Sequence, residues 1–313
     1  MPRVVALAGG VGGAKLALGL QLVVAPGDLS VVVNTGDDQE FHGLLVCPDQ
    51  DTVLYTLAGL ADRERGWGLA GETWAAADQL ARLGEPTWFA IGDRDLALHV
   101  HRTRRARDGE RLTLIALDVA ARLGVASRIL PMADEQVRTR VRTPDGWLPF
   151  QDWFVRLGNE PAVLEVAIEG AERARMTPEV EGALAAADAI VICPSNPLVS
   201  IAPILAVPCI RDAIGDARRR GTRVAAVSPI VGGRALRGPA DRMLAALGEE
   251  VSALGVARRY VGLVDVLVID EADASLAPAI ERLGLDAIVA PSVMSDDASR
   301  EALARVVLDA CLG

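Results

Sequence analysis

Two adjacent carboxylates near the N-terminus could hold a divalent cation. The apolar run VVVN ends at Asn34, and Asp37 and Asp38 follow it within the segment NTGDD. Mg²⁺ is bound in proteins by one or two carboxylates together with phosphate oxygens and water. Asp37 and Asp38 are therefore candidate magnesium ligands, although aspartates at such positions also cap helices and turns.

A second acidic segment, CPDQDTVLYTL, lies ahead of a predicted helix. It offers Asp49, Asp51 and Thr52 at the start of that helix. Either Asp51 or Thr52 could serve as the N-cap, because their side-chain oxygens accept hydrogen bonds from free helix amides. The same side chains could instead contact a ligand, and both interpretations stay open.

The segment GDRDLALH is the densest group of polar residues in the chain. Asp93 and Arg94 follow Gly92, and His99 lies four residues beyond Asp95. Asp93 could bind a metal or act as a general base, and Arg94 could neutralise a phosphate. Residues four apart share a helix face, so Asp95 and His99 are predicted to pair. An exposed helix start with ordinary ion pairs is the alternative.

A glycine-rich turn joins the apolar run VVALA to a helical pattern at the start of the chain. The turn and the first helical residues comprise Gly9, Gly10, Val11, Gly12, Gly13 and Lys15. Free amides at a helix start, together with the helix dipole, favour phosphate groups. The pattern matches neither G-x-G-x-x-G nor a loop ending in G-K-[ST]. It therefore indicates phosphate or nucleotide binding, or a tight turn that binds nothing.

Polar residues also follow two predicted strands in the second half of the chain. They are Ser195, Asn196 and Ser200 after AIVICP, and Ser228, Gly232, Gly233 and Arg237 after RVAAVSP. Such positions suit contacts to a nucleotide, and the later set could form an anion-binding loop or a solvated surface loop. Trp67 could stack on a flat ligand or pack in the core.

Composition limits the classes of protein that this chain can belong to. It has 313 residues, 51% hydrophobic and 24% charged, with a formal net charge of −10. An acidic chain of this kind is not a nucleic-acid-binding protein, whose affinity would depend on clustered Lys and Arg. No apolar run reaches the roughly 18–20 residues that span a bilayer. Four scattered cysteines are expected to be buried in a reducing cytosol, so we expect a cytoplasmic protein.

The elements that position these residues indicate an α/β fold. Short apolar runs alternate with helical patterns, which is typical of a parallel sheet with crossover helices. We predict a Rossmann-like core formed by residues 1–50 and 171–313, with a helical cap at 51–135. Residues 136–170 alternate around the turn sequence PDG and are predicted to form a small antiparallel β element.

Taken together, seven segments resemble the 2-phospho-L-lactate transferase family of coenzyme F-420 biosynthesis. They are AGGVGGAK, VVNTGDD with HGLLVCPDQDTVLYTL, RGWGLAGETW, WFAIGDRDLALH, FQDWFVR, CPSNPLVSIAPILAVPCIR and SPIVGGRALRGPADRM. These motifs occur in the family's order over most of the chain.

The resemblance implies a reaction. Family members transfer a phosphorylated three-carbon acid from its guanosine diphosphate ester to a ribityl hydroxyl of the deazaflavin 7,8-didemethyl-8-hydroxy-5-deazariboflavin. GMP is released and Mg²⁺ is required. The family's Rossmann-like core carries a cap, and its members are usually homodimers. The sequence does not fix the acid, which could be phospholactate, phosphoenolpyruvate or 3-phosphoglycerate.

The resemblance also implies roles for individual residues. Asp37 and Asp38 are expected to hold Mg²⁺ against the diphosphate of the donor. The donor itself is expected to contact Gly9, Gly10, Val11, Gly12, Gly13, Lys15, Asn34, Ser195, Asn196, Ser200, Ser228, Gly232, Gly233 and Arg237. The deazaflavin is expected under the cap, near Asp51, Thr52, Trp67, Gly92, Asp93 and Arg94. Asp51 or Asp93 is the candidate base for the attacking hydroxyl.

Two other functions compete with this interpretation. A related regulatory family, the gluconeogenesis factors, binds nucleotide sugars and shares the glycine-rich start, but not the DQDT and GDRD motifs. An NAD-dependent oxidoreductase would need G-x-G-x-x-G and an acidic residue at the end of the second strand, where Asn34 stands.

Overall fold

The computed structural model describes residues 2–313. In chain order its strands are β1 (Val4–Ala8), β2 (Leu29–Val33), β3 (Gln39–Phe41), β4 (Leu44–Val46), β5 (Arg128–Pro131), β6 (Arg138–Thr143), β7 (Gly146–Pro149), β8 (Glu165–Glu169), β9 (Ala189–Ile192), β10 (Arg223–Val227), β11 (Ile230–Val231), β12 (Arg234–Ala235), β13 (Val266–Ile269) and β14 (Asp286–Val289). The helices are α1 (Gly10–Val23), α2 (Pro48–Leu57), α3 (Ala75–Arg82), α4 (Asp93–Arg107), α5 (Leu112–Arg122), α6 (Pro178–Ala185), α7 (Ala202–Ala206), α8 (Ile210–Arg219), α9 (Ala240–Ala246), α10 (Ala253–Tyr260), α11 (Ala277–Glu281) and α12 (Asp297–Leu312).

Seven parallel strands form the central sheet, in the order β14-β13-β10-β9-β1-β2-β5. Strand β1 pairs with β2 on one side and with β9 on the other. The chain therefore builds the sheet outward in both directions from β1, which makes the β1/β9 boundary the topological switch point. The predicted α/β fold with a parallel-sheet core is confirmed.

Helices cover both faces of this sheet. On one face, α1, α2, α5 and α12 pack their apolar residues against the strands. On the other face, α6, α8 and α10 do the same. Because both faces are covered, the central strands are apolar throughout rather than alternating, and β1, β2 and β9 are buried at every residue. Helix α1 lies between α2 and α12 and contacts both.

A separate antiparallel sheet follows the central part of the chain. It has the order β7-β6-β8, and β6 and β7 are joined by the predicted PDG turn. The small antiparallel β element is therefore confirmed. Two further hairpins, β3–β4 and β11–β12, are too short for their sequence to show an alternating pattern.

Strand β5 differs from the prediction, which placed it inside the helical cap. It pairs in parallel with β2 and extends the central sheet, with Ile129 and Leu130 buried. Four residues after an amphipathic helix give too short a run for periodicity to separate strand from helix. The boundaries that we drew between core, cap and ribbon stay a prediction.

The helical pattern of the stretch APILAVPCIRDAIGDARRR is divided between two helices. Helix α7 ends at Ala206 and α8 begins at Ile210, with Pro208 between them. Proline lacks the amide that would continue the helix, and Cys209 takes a positive φ of 72°. Cys209 is exposed, so the expectation of buried cysteines is wrong for this one and confirmed for Cys47, Cys193 and Cys311.

Within residues 2–313, no single helix combines the length and the apolar composition needed to cross a membrane. One pair, Pro197–Ala206 and Ile210–Arg219, reaches them only jointly, and it is bent by 82°.

Candidate active site

The carboxyl ends of β1, β2 and β9 bring three predicted site segments together. Gly9 follows β1, Asn34 follows β2, and Ser195 comes shortly after β9. In open α/β sheets, ligands bind beyond these strand ends at the switch point. The predicted site residues that follow these strands therefore lie at the crevice where such folds bind their ligands.

Asn34 connects the aspartates around this crevice. It is fully buried, and its Nδ2 donates to Asp37 Oδ1 at 3.2 Å, to Asp49 Oδ2 at 2.9 Å and to the Val199 carbonyl at 3.1 Å. Its Oδ1 accepts from the Gly36 amide at 2.8 Å. Because two amide hydrogens serve three acceptors, Asn34 holds the two carboxylates close together without satisfying them fully.

Asp49 belongs to α2, but its carboxylate lies at the start of α1, in the position where an anion would bind. The Gly10 amide donates to Asp49 Oδ1 at 2.6 Å, and the Ser200 hydroxyl also bonds this carboxylate. Next to it, the Gly9 amide donates to Ser195 Oγ at 3.1 Å. Two of the amides expected to contact phosphate are therefore bonded to protein side chains in this structure.

Helix α2 begins earlier than the sequence indicated. Its N-cap is Cys47 and its first residue is Pro48, whose missing amide is tolerated there. Asp51 and Thr52 are inside the helix, so the prediction that one of them is the N-cap is wrong. Asp49, in the first turn, reaches across to α1 instead.

The glycines of the first turn are explained by close packing. A Cβ on Gly12 would overlap the Pro194 carbonyl oxygen, and one on Gly13 would overlap Ser195 Oγ. Gly9 lies equally close to Asp49, and Gly10 has a φ of +63° that disfavours side chains. These glycines let the loop after β9 pack directly on the start of α1. Their contact with a phosphate stays a prediction.

Three buried carboxylates form what we call the acidic cluster: Asp37, Asp38 and Asp49. Burial raises the pKa of all three, to about 6 for Asp49 and about 7 for Asp38. Repulsion from Asp49 and then Asp38 raises the pKa of Asp37 further, while a bond of 2.8 Å from Gln151 Nε2 opposes this. Arg138 partly offsets the shift at Asp38.

The acidic cluster has the chemistry of a hard cation site. Asp38 Oδ1 is buried and lacks a hydrogen-bond partner among the described residues. Burying a carboxylate without a partner is costly, so the group protonates or takes a cation. Asp37 and Asp38 follow β2 and Asp49 lies in the first turn of α2, and carboxylate oxygens are the donors that Mg²⁺ prefers. Among residues 2–313, the one group whose ligand atoms all lie within 4.8 Å of one another is Asp51, Asp95 and His99.

A second buried network joins the cap helix α4 to α2. Arg102 is 1% exposed, and its guanidinium binds both carboxylate oxygens of Asp51, one of them at 3.1 Å. His99 Nδ1 lies 3.8 Å from Asp51 Oδ2, and its Nε2 lies 3.4 Å from Asp95 Oδ1. Tyr55 donates its hydroxyl proton to the same Asp95 oxygen. The predicted pairing of Asp95 with His99 is therefore confirmed.

Asp93 caps helix α3 in this structure. Its carboxylate accepts from the Thr73 hydroxyl at 2.5 Å and from the amides of Ala75 and Ala76 at 3.0 and 2.9 Å. The bonds from Thr73 and from these amides lower its pKa. A fully bonded carboxylate with a lowered pKa is a weaker base than the sequence suggested.

The start of α4 is capped in return by Glu72. Its carboxylate accepts from the Arg94 amide at 2.9 Å and from the Asp95 amide at 2.7 Å. A Cβ on Gly92 would overlap this carboxylate, which explains that glycine. The Arg94 side chain donates to the Ala70 carbonyl at 2.7 Å. Helices α3 and α4 thus exchange caps, which fixes the two cap helices to each other.

Trp67 lies on an exposed loop of the cap. Its side chain is 45% exposed and forms an edge-on pair with Trp74, with ring centroids 6.2 Å apart. The Arg65 guanidinium lies over both rings, at 4.9 and 5.1 Å. An exposed indole held in place in this way could stack on a planar ligand.

Several residues predicted to contact the guanosine diphosphate donor are bonded to other protein groups in this structure. Ser228 Oγ donates to the Ile230 carbonyl at 2.8 Å, and Asn196 Oδ1 accepts from the Leu198 amide at 2.9 Å. The Gly232 amide donates to Asp273 at 3.0 Å. These residues follow strand ends as predicted, and contact with a donor would add to these bonds or replace them.

Lys15 lies on the side of α1 that faces α12. Its Nζ donates to the Met294 carbonyl at 2.9 Å. Burial and then the positive charges of Arg300 and Arg237 lower its pKa. We call Lys15, Arg237 and Arg300 the basic group; it lies across α1 from Asp49.

A family model described as 2-phospho-L-lactate transferase CofD matches residues 4–306. The chain belongs to this family. The resemblance inferred from the motifs is confirmed.

Two relatives with different names match this CofD-family chain over nearly its whole length. A protein of Streptomyces griseus named phosphoenolpyruvate transferase is 42% identical over 313 residues, covering 98% of each chain. A protein of Methanosarcina mazei named 2-phospho-L-lactate transferase is 38% identical over 302 residues, covering 96% of this chain and 98% of its own. A crystal structure of a UPF0052-family protein from Bacillus halodurans aligns with a TM-score of 0.61 over 97% of this chain and 98% of its own. At 16% identity it shows the fold alone.

Sequence reasoning assigned no role to four side chains that form these buried networks and helix caps in the CofD-family chain. They are Asp49, Arg102, Gln151 and Glu72. Asp49 lies in CPDQDTVLYTL and Gln151 lies in FQDWFVR, two of the segments that carry the family resemblance. Arg102 lies three residues beyond His99, a spacing that places both on one helix face. For Glu72, only the packing of α3 against α4 shows the role.

Proposed function

We propose that this CofD-family chain transfers a phosphorylated three-carbon acid from its guanosine diphosphate ester to the ribityl hydroxyl of 7,8-didemethyl-8-hydroxy-5-deazariboflavin. The hydroxyl oxygen attacks the phosphorus nearer the acid, the bond to GMP breaks, and the hydroxyl proton is lost. The observation that carries this proposal is the acidic cluster, which is buried beside the carboxyl ends of β1 and β2 and whose three carboxyl groups have pKa values raised by that burial.

We propose Asp37, Asp38 and Asp49 as the residues that hold Mg²⁺. When bound, the ion would neutralise charge on the diphosphate and on the departing GMP. Asn34 supports this arrangement, because it holds Asp37 and Asp49 side by side. Gln151 fixes the other oxygen of Asp37 and so orients the carboxylate.

The cap supplies the acceptor side of the site in this proposal. The deazaflavin would lie between the cap and the strand ends, with Trp67 against its ring and Asp51 near the ribityl chain. Of the two candidate bases, Asp51 lies close enough to Asp38 to affect its pKa, whereas Asp93 caps α3. Because Arg102 binds both oxygens of Asp51, orientation of the hydroxyl contributes more than proton removal.

We propose phosphoenolpyruvate as the source of the acid. Support comes from the Streptomyces griseus relative and from a Kitasatospora aureofaciens protein, also 42% identical, both named phosphoenolpyruvate transferase. The relative named for phospholactate is 38% identical. The difference in identity is small, so the donor must be tested directly.

The test is to incubate the protein with deazaflavin, Mg²⁺ and each of the three guanylylated acids, and to identify products by mass. We expect product when the deazaflavin, Mg²⁺ and a guanylylated acid are all present. We expect the fastest transfer from the enolpyruvyl donor. Asp37→Asn should lower turnover and raise the Mg²⁺ concentration needed for half-maximal rate. Asp108→Asn is the control, since that carboxylate is 65% exposed on α4.

Two outcomes would contradict the proposal. Unchanged turnover and metal dependence in Asp37→Asn would remove the metal role of the acidic cluster. No product from any donor, together with tight binding of a nucleotide sugar, would favour the regulatory function instead.

A further inference from the structure

Helix α1 lies between two groups of opposite charge, the acidic cluster and the basic group, at the carboxyl ends of the sheet strands. On the side of α2, the Gly10 amide binds Asp49 of the acidic cluster. On the side of α12, Lys15 bonds the Met294 carbonyl. Gly10 and Lys15 lie within the first two turns of α1, and helix side chains lean toward the N-terminus, so one ligand at the start of α1 could contact both groups.

Two members of the basic group, Lys15 and Arg300, are held in place by the packing of α12 on α1. The backbone of Arg300 lies directly against Gly19, one turn beyond Lys15 on α1, so α12 packs on α1 without a side chain between them. The buried Arg300 guanidinium pairs with Asp297 at 2.5 Å.

A loop of the cap contacts both Arg237 and Asp297, the carboxylate that pairs with Arg300. Arg63 binds Asp297 at 3.2 Å, at the start of α12. At Gly66, a Cβ would lie 3.1 Å from the Arg237 guanidinium. The loop that also carries Trp67 therefore contacts both Arg237 and the start of α12, and Met294, just before α12, is the residue that Lys15 bonds.

Positive charge is in excess here. Among residues 2–313, neither Lys15 nor Arg237 has a carboxylate within 4.0 Å. The single carboxylate bonded to the group, Asp297, is shared between Arg300 and Arg63. Lys15 bonds a neutral carbonyl, and its lowered pKa reflects burial beside Arg300 and Arg237. An anion would supply the missing partner.

We propose that Lys15 and Arg237 bind the carboxylate of the three-carbon acid carried by the donor. This proposal rests on the proposed function. The donor has two anionic parts, the diphosphate and the carboxylate, which lie a few bonds apart. The acidic cluster repels both parts unless a cation intervenes, and the cation is expected at the diphosphate. The carboxylate is the anion that remains, and a guanidinium with an ammonium is a suitable pair of donors for it.

The experiment compares two ligands that differ in the carboxylate alone. Guanosine diphosphate esterified with lactate and guanosine diphosphate ethyl ester share the same diphosphate diester and nearly the same size. Their dissociation constants are measured by calorimetry with Mg²⁺ and without the deazaflavin, so that no transfer occurs. The variants are Lys15→Met and Arg237→Met, with Arg305→Met as a control that removes an exposed charge from α12.

We expect each site variant to bind the lactyl ester about tenfold more weakly or worse, the loss typical of a charge-assisted hydrogen bond. Binding of the ethyl ester should change less than about twofold, and the control should bind both ligands like the wild type. Should Lys15→Met fail to fold, Arg237→Met still decides, because that side chain is exposed.

Equal weakening for both esters would overturn the inference, since the basic group would then hold the diphosphate. Unchanged binding of the lactyl ester would overturn it as well, while leaving the proposed function intact. A wild-type protein that binds neither ester would refute the proposed function and this inference with it.

Discussion

The raised pKa of Asp38 predicts that stability falls as pH rises when no divalent cation is present. The carboxyl of Asp38 is buried, and this burial raises its pKa from the ordinary value of 3.8 to about 7. The folded protein therefore holds this proton more tightly than the unfolded chain does. The stabilising effect is fully present below about pH 4 and is lost as pH rises through about 7.

The magnitude follows from the size of the shift. Each pKa unit corresponds to about 1.4 kcal/mol, so a shift of about three units costs about 4 kcal/mol of unfolding free energy by pH 8. Roughly 2–3 kcal/mol of this is lost between pH 5 and pH 8. Asp37 and Asp49 shift in the same direction and add to the slope.

Urea denaturation in EDTA at pH 5 and pH 8 measures this effect. Asp38→Asn keeps the shape but cannot ionise, so between pH 5 and pH 8 its unfolding free energy should fall less than that of the wild type, by roughly 2–3 kcal/mol. Asp108→Asn, on an exposed carboxylate, should follow the wild type. Parallel pH profiles for Asp38→Asn and wild type would refute the reasoning, because burial would then not control this carboxyl.

Three further predictions concern single contacts. Arg102→Met should lower the unfolding free energy by about 3–5 kcal/mol in urea denaturation, because it leaves Asp51 buried without its cation; a loss below about 1 kcal/mol would show that Asp51 is solvated. Gly12→Ala should lower it by about 1–3 kcal/mol, since the new Cβ meets the Pro194 carbonyl, and a variant with an unchanged melting temperature would contradict that packing. Asp93→Asn should lower the melting temperature slightly, because it weakens the cap of α3, and should leave turnover within about twofold; a fall of about 10²-fold would show that Asp93 is the base.

The central sheet was predictable because most of its strands are short apolar runs that alternate with helices. That pattern follows from burial on both faces, and it is clear in β1, β2, β9, β13 and most of β10. Strand β5 was not predictable in the same way. Its four residues carry no period, and their place in the sheet depends on pairing with β2, which is a tertiary contact.

The location of the site was predictable for a related reason. Parallel strands end at one edge of the sheet, so polar residues after β1, β2 and β9 had to meet. Which atoms bond to which was not predictable. Asp49 and Asp51 are two residues apart on α2, a rotation of about 200° around the helix axis. One therefore faces the Gly10 amide and the other faces Arg102, a difference that the segment PDQD does not reveal.

The unneutralised charges on either side of α1 support one interpretation of the site. An ion pair between Lys15 and Asp49 would reduce the burial cost of both, yet each side chain is held on its own side by a backbone group. Groups arranged at a cost to stability are typical of sites whose partner is a ligand. A cation bound to a diphosphate, joined to a carboxylate, presents positive charge to the acidic cluster and negative charge to the basic group. A donor of this kind would supply both missing partners at once, which is why separated charges suit this site better than a preformed ion pair.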